Sequence, residues 1–209
     1  MSSVLTACAL GATPYREGLA LQEALVRARA AGETGDWLLY PDHPPVLTIG
    51  RNPSEGNLRA DTAALAAAGV EVFEVPRGGD VTWHGPGQLV AYPILKLEGA
   101  ARDLHAHLHL LEDLMIEVCA ELGLAVGRDP RNTGVWANGR KVGSIGIACR
   151  RWVTWHGLAL NVDPDLAYFG RINPCGFDAS VMTSVARELD RPVALADARR
   201  ALVARVSGW

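Results

Sequence analysis

The stretch from Gly134 to Val162 constrains the chain more than any other. It reads as three strands in succession: a short one after Gly134, a second running from Arg140 through RKVGSIGIAC, and a third over Thr154 to Val162. Between the first two stands Asn138-Gly139, the strongest short signal for a type I′ turn. A hairpin with a third strand pairing beside it commits the chain to an antiparallel sheet with a buried face. Along the second strand Lys141, Gly143, Ile145, Ile147 and Cys149 fall on one face, and Val142, Ser144, Gly146 and Ala148 on the other. Alternation therefore sets a lysine beside two isoleucines. Either Lys141 lies at a frayed strand start and snorkels to water, or it stands at the rim of an apolar pocket as a local cation or a base of lowered pKa.

Around this unit the other elements follow in order. MSSVLTACAL reads as a first strand; its Leu-Thr-Ala-Cys imitates a lipoprotein cleavage box, but without a basic leader and with too short an apolar run. Thr13-Pro14 opens a helix as cap and first-turn proline, with a stripe of Leu21, Ala24, Leu25 and Ala28 up to Gly32. Trp37 to Tyr40 and Val46 to Ile49 are short strands flanking the turn PDHPP. Asp61 caps a short alanine-rich helix that ends at Gly69, Val70 to Val75 alternates as a strand, and the loop RGGDVTWHGPGQ leads into the apolar strand LVAYPIL.

The clearest helix starts at Asp103, with Leu104, Leu108, Leu111, Met115, Val118 and Leu122 as its core face and Gly123 as its stop. His105 and His109, one turn apart, have a metal-compatible spacing but no third ligand nearby, so a solvated face is the expectation and no metal is assigned. Asp163 to Phe177 is a long loop rich in glycine and proline, long enough to suggest function. A helix from about Ala196 to Val206 closes the chain. Without a regular β-α rhythm, the expected class is α/β of the α+β kind, a mixed and largely antiparallel sheet with packed helices.

Composition bounds the function. At 209 residues, 49% of them hydrophobic, the chain suits one catalytic domain over residues 1–209. A net charge of -3 supplies no basic field for nucleic acid. No apolar run approaches the roughly 20 residues that cross a bilayer, so no membrane partner is expected. Cys8, Cys119, Cys149 and Cys175 form no CxxC pair, which argues against a disulfide framework and a zinc ribbon and for reduced thiols in the cytoplasm.

Two further features carry chemistry. Cys175, between Pro174 and Gly176 in a loop of turn residues, is expected to be accessible, whereas Cys119 and Cys149 are packing residues. A thiol of pKa near 8.5 is only a few per cent thiolate at neutral pH. A neighbouring cation that lowers it by about two units contributes roughly 2.7 kcal/mol, and Lys141 could be that cation. The glycine loop, Arg77, Gly78, Gly79, Asp80, Val81, Thr82, Trp83 and His84, can bring backbone N–H groups against a phosphate or a thioester carbonyl, although it lacks a P-loop lysine. Within it His84 is a base, an oxyanion donor or a locally satisfied side chain. On the third strand Gly157 and Ala159 share a face, leaving room for a slender chain or for close packing.

RGGDVTWHGPGQLVAYPIL, GRKVGSIGI, HGLALNV and RINPCGF occur in an order and at spacings that closely resemble the signatures of the lipoyl (octanoyl) transferase family. The resemblance covers nearly the whole chain and is strongest from Arg77 to Phe177; Trp83 stands where the family more often has tyrosine. It implies a fold similar to the biotin and lipoate protein ligases. It also implies transfer of an octanoyl (or lipoyl) group from acyl carrier protein to a lysine of a lipoyl domain, with no cofactor. Carried over, Cys175 is the acyl-thioester nucleophile and Lys141 the residue that lowers its pKa. Arg77 to His84, Ser144, Ile145, Gly146, Gly157, Leu158 and Ala159 line the acyl site. The implied partners are octanoyl acyl carrier protein as donor and, as acceptors, the lipoyl domains of 2-oxoacid dehydrogenase complexes and the glycine cleavage H protein, met by a monomer. Two competing functions remain: an ATP-dependent ligase of the same fold, for which Cys175 would be incidental, and a non-catalytic module that only binds acyl groups.

Overall fold

In the computed structural model, which describes residues 5–53, 62–172 and 177–207, two sheets share the strands. β1 (Leu5–Ala12), β2 (Asp36–Asp42), β6 (Gln88–Ile94), β9 (Val153–Asn161), β8 (Arg140–Arg150) and β7 (Gly134–Ala137) lie side by side in that order; β4 (Glu71–Glu74), β3 (Val46–Ile49) and β5 (Val81–His84) form a smaller sheet. Only β1 with β2 and β3 with β4 run parallel, so the sheet is mixed and largely antiparallel, as expected. Every residue of β9 is buried; it is the axis of the larger sheet, paired with β6 on one side and β8 on the other.

Helices cover both faces of that sheet. On one lies α1 (Tyr15–Ala31), whose Val26 joins Leu39, Val90, Tyr92, Ala148, Trp155 and Ala159. On the other lie α3 (Leu104–Glu121) and α5 (Leu195–Val206), which bring Leu111, Met115, Val118 and Leu202 onto Leu89, Val135, Val142 and Leu160. α2 (Thr62–Ala67) packs by Leu65 under the small sheet, and α4 (Val185–Leu189) buries Val185 in the α3 layer. Among the described residues no helix is long and apolar enough to cross a membrane.

α1 begins and ends where the sequence places it but buries a different face. Pro14 is its N-cap and Gly32 closes it in the left-handed conformation; the Thr13 hydroxyl turns back to the carbonyls of Leu10 and Gly11 instead of capping. Tyr15, Gly18, Gln22 and Val26 face inward, while Leu21 is 37% exposed. The apolar stripe misled because the sheet meets this helix through a buried polar contact, Gln22 Oε1 accepting the backbone N–H of His156 at 2.8 Å. α3 starts at its expected cap, with Asp103 accepting the N–H groups of His105 and Ala106. Its core face agrees from Leu111 onward, but His107 takes the buried place beside the half-buried Leu104 and Leu108. His105 and His109 are exposed. The expected Asp61 cap lies outside the described residues.

Two further differences shape the site. The stretch after Arg77 is only partly loop, since Val81–His84 pairs with β3 as β5. On β8 a bulge interrupts alternation: Val135 pairs with Gly143 and Trp136 with Lys141, leaving Val142 opposite no residue. The tight turn before it is as expected, with Asn138 and Gly139 both at positive φ (49° and 73°).

Candidate functional site

The bulge decides where Lys141 points. An extra residue in one strand reverses the facing of what precedes it. Ile145 and Ile147 pack with Val142 into the α3 layer, and a side chain at Gly143 would strike Met115 of the same layer. Lys141, by contrast, turns to the opposite side with Ser144 and Gly146 and opens into a cavity. The lysine does not share a face with the isoleucines, and its buried ammonium does not snorkel to water: the side chain is 3% exposed.

The cavity lies where the two sheets meet. Arg77, Gly79, Asp80, Val81, Thr82 and His84 line it from the glycine loop and β5; Lys141, Ser144, Ile145 and Gly146 from β8; Gly157, Leu158 and Ala159 from β9. Trp83 points the other way, stacked on Tyr168 at 5.0 Å and edge-on to Phe169. Gly78 is also off the wall; its N–H donates to Ile147 O. The missing side chain of Gly157 makes room for protein: a Cβ there would lie 2.3 Å from Ala91 O. Close packing thus accounts for this glycine.

Each cation is held by named partners. The Arg77 guanidinium, 7% exposed, donates to the carbonyl and hydroxyl of Thr48 on β3 and to Gly78 O. Lys141 Nζ donates to Asn132 Oδ1 and lies 5.6 Å from the Trp136 ring centroid. The lysine's backbone reaches across to the far side of the proline-glycine loop, bridging to Met182 and accepting the Thr183 N–H at 2.9 Å. Phe177 sits edge-on to the same Trp136 ring at 5.9 Å. Cys175 itself falls in 173–176, outside the described residues. Burial pushes the Cys119 thiol up to about 12 and that of Cys149 upward as well, in keeping with packing roles.

The far wall is a nest of aromatic and imidazole rings that sequence reasoning missed. Tyr15, Tyr92 and His156 line the cavity, with His43 behind them. His43 Nδ1 donates to Thr13 O at 2.8 Å, so its Nε2 accepts from the Tyr92 hydroxyl at 2.9 Å. His156 is held at a left-handed φ of 54°, and its Nε2 has no hydrogen-bond partner among the described residues. Burial, reinforced by Arg77, holds His156 down at about 3; burial, His43 and Arg77 hold His84 there against its bond to Gln88. Burial also lowers His43 and raises Tyr15 to about 12. These rings are therefore neutral at pH 7, and the cationic field in the cavity comes from Arg77 and Lys141. His156 was within reach of sequence reasoning, since it opens HGLALNV; nothing marks Tyr15 or Asn132.

A narrow, largely apolar cavity edged by Arg77 and Lys141, where sheets of this topology meet, suits a site that binds an acyl chain. Residues 14–207 match the model of the lipoyl protein ligase A/B catalytic domain, and the chain belongs to that family. It is 48% identical over 196 residues to an octanoyltransferase of Geobacter metallireducens, covering 94% of this chain and 89% of that one. In fold it is similar to a crystal structure of lipoate-protein ligase A bound with ATP (TM-score 0.81, 19% identity, 100% of this chain and 85% of that one). A biotin protein ligase of Leishmania major with biotinyl-5-AMP is also similar (TM-score 0.55, 12% identity, 97% and 73%). The expected family, fold and enzyme class all hold.

Proposed function

We propose that this chain moves an octanoyl group from the thioester of acyl carrier protein to a lysine of a lipoyl domain, in the cytoplasm and within one catalytic domain, through an acyl-enzyme on Cys175. The observation that carries the covalent route is the seating of Phe177. Phe177, two residues beyond Cys175 in the sequence, rests on the Trp136 ring that Lys141 also faces, which supports reading Cys175 and Lys141 as parts of one site.

A thioester is already activated, so the transfer needs no ATP. The Cys175 thiolate, stabilised by Lys141, attacks the octanoyl carbonyl; the new carbon–sulfur bond forms as the carrier's sulfur leaves and takes up the proton of the Lys141 ammonium. The acceptor amine then attacks, the carbon–nitrogen bond forms, and the bond to Cys175 breaks. The proton lost by nitrogen passes through Lys141 to the Cys175 sulfur. The N–H groups of Gly78 and Val81 are already donated to Ile147 O and Asp80 Oδ1, so the Lys141 ammonium is the better placed group to meet the developing oxyanion.

Intact mass after mixing with octanoyl carrier protein, without ATP, tests this reading. An octanoyl adduct that disappears in Cys175→Ser supports it, and an adduct that survives the substitution sinks the assignment. If no adduct forms and a lipoyl domain is acylated only with ATP present, the ligase reading takes over. Glycine cleavage H protein and dehydrogenase lipoyl domains, offered as separate acceptors, test the partners.

A further inference from the structure

A chain of buried amides runs from the Lys141 strand to the cavity, and its polarity can be read from one end. Thr183 O is a backbone carbonyl and can only accept, so the group facing it at 2.9 Å is the Asn161 amide nitrogen, and Asn161 Oδ1 points away. That oxygen accepts from Gln88 Nε2 at 2.9 Å, and the same nitrogen also donates to Trp83 O at 3.2 Å. Gln88 Oε1 is then an acceptor and lies 2.8 Å from His84 Nδ1, which must carry the proton. Gln88 and Asn161 are register partners across β6 and β9, and with Thr183 all three are at most 3% exposed. At this burial a reversed amide would set two acceptors face to face.

We propose that Gln88 and Asn161 are positioning residues that hold His84 as its Nδ1–H tautomer, so that its Nε2 lone pair accepts a hydrogen bond from the N–H of the amine attacking the acyl group. This rests on the transfer reading above. The choice of partner follows from the chemistry of the wall. Arg77 and Lys141 offer only donors, suited to a carbonyl oxygen or a thiolate. A lone pair suits an N–H, and of the two substrates only the amine carries one on a reacting atom. His84 accepts the hydrogen bond without taking the proton, because burial and the positive charge nearby hold it down at about 3, well below an amine. The bond therefore orients the nitrogen, and the proton follows the path to sulfur already described.

Two-bond proton–nitrogen NMR of histidine-labelled protein reads the tautomer directly, with His84→Gln to assign the signals. A protonated Nδ1 and a bare Nε2 are expected; a protonated Nε2 overturns the proposal whether or not an octanoyl-enzyme forms. Gln88→Met, similar in volume and checked by thermal melting, is expected to slow transfer from octanoyl-enzyme to the lipoyl domain about tenfold, the worth of one hydrogen bond. Formation of the octanoyl-enzyme should stay within about twofold; equal slowing of both steps would count against the proposal. Failure of the covalent route would appear separately, as no adduct in the mass experiment.

Discussion

Lys141 and Ser144 occupy the same side of β8 and line the same cavity although they are three positions apart, an offset that simple alternation would set on opposite sides. Val142, unpaired in the bulge, is the cause. Inserting one residue between Val135 and Trp136, opposite Val142, restores simple alternation and turns the ammonium toward the apolar layer under α3. An unpaired charge buried there costs about 3 kcal/mol or more, so the insertion variant is expected to melt at lower temperature and to lose octanoyl transfer. Val142→Ala keeps the bulge and should keep the activity, with a modest loss of stability. Transfer assays and thermal melts on the pair separate the two effects.

Asn132 is the second determinant of that ammonium. Its Oδ1 accepts from Lys141 Nζ, and hydrogen bonds to charged groups contribute about 1.5–3 kcal/mol. Asn132→Leu is expected to lower the transfer rate roughly 10- to 100-fold, with the melting temperature moved little, since Asn132 is half-buried and the Lys141 chain stays packed against Trp136. Single-turnover kinetics check this.

The legible and illegible parts of this chain divide along a physical line. Periodicity and turn chemistry located β8, β9, the Asn138-Gly139 turn and α3 because those signals are local. The facing of Lys141 was beyond them: a bulge is imposed by the partner strand, and one extra residue inverts every parity before it. The inward face of α1 was hidden for a related reason, since the side chain that meets the sheet is a glutamine whose oxygen accepts from a backbone N–H 134 residues away. On the wall of the cavity, Arg77, Gly79 to Thr82 and His84 were found as one run of sequence, whereas Tyr15 and Tyr92 reach it only through tertiary packing.

Gln22 gives that hidden contact a measurable consequence. The residue is fully buried, and its oxygen is the acceptor for the His156 N–H. Gln22→Leu fits an apolar layer by size but strands a buried amide, which costs about 1–3 kcal/mol. For a chain of this length that corresponds to a fall in melting temperature of about 2–10 °C. Gln22→Glu retains the acceptor but buries a carboxyl group, so its deficit against the parent should shrink as pH falls and the group is protonated, and calorimetry of both variants decides.

Stability should also fall steeply between pH 6.5 and about 4. Burial lowers the folded-state pKa of His43, brings His107 to about 4 and, aided by neighbouring positive charge, brings His84 and His156 to about 3. Their unfolded value is 6.5, so in this window the unfolded chain binds protons that the folded chain refuses. The stabilisation is fully present above pH 6.5 and is lost as pH falls, each histidine adding up to about 1.4 kcal/mol per pH unit to the slope. The depressed carboxylates Glu112 and Glu188 act at the lower end, below their ordinary 4.5. His107 isolates the effect, because it lies outside the cavity wall and neither ring nitrogen has a hydrogen-bond partner among the described residues. His107→Leu removes one titrating group and leaves no polar atom stranded. It is expected to match or exceed the parent in stability at pH 7, to exceed it clearly at pH 5, and to reduce the proton uptake on unfolding by about one, as read from denaturant melts across that range.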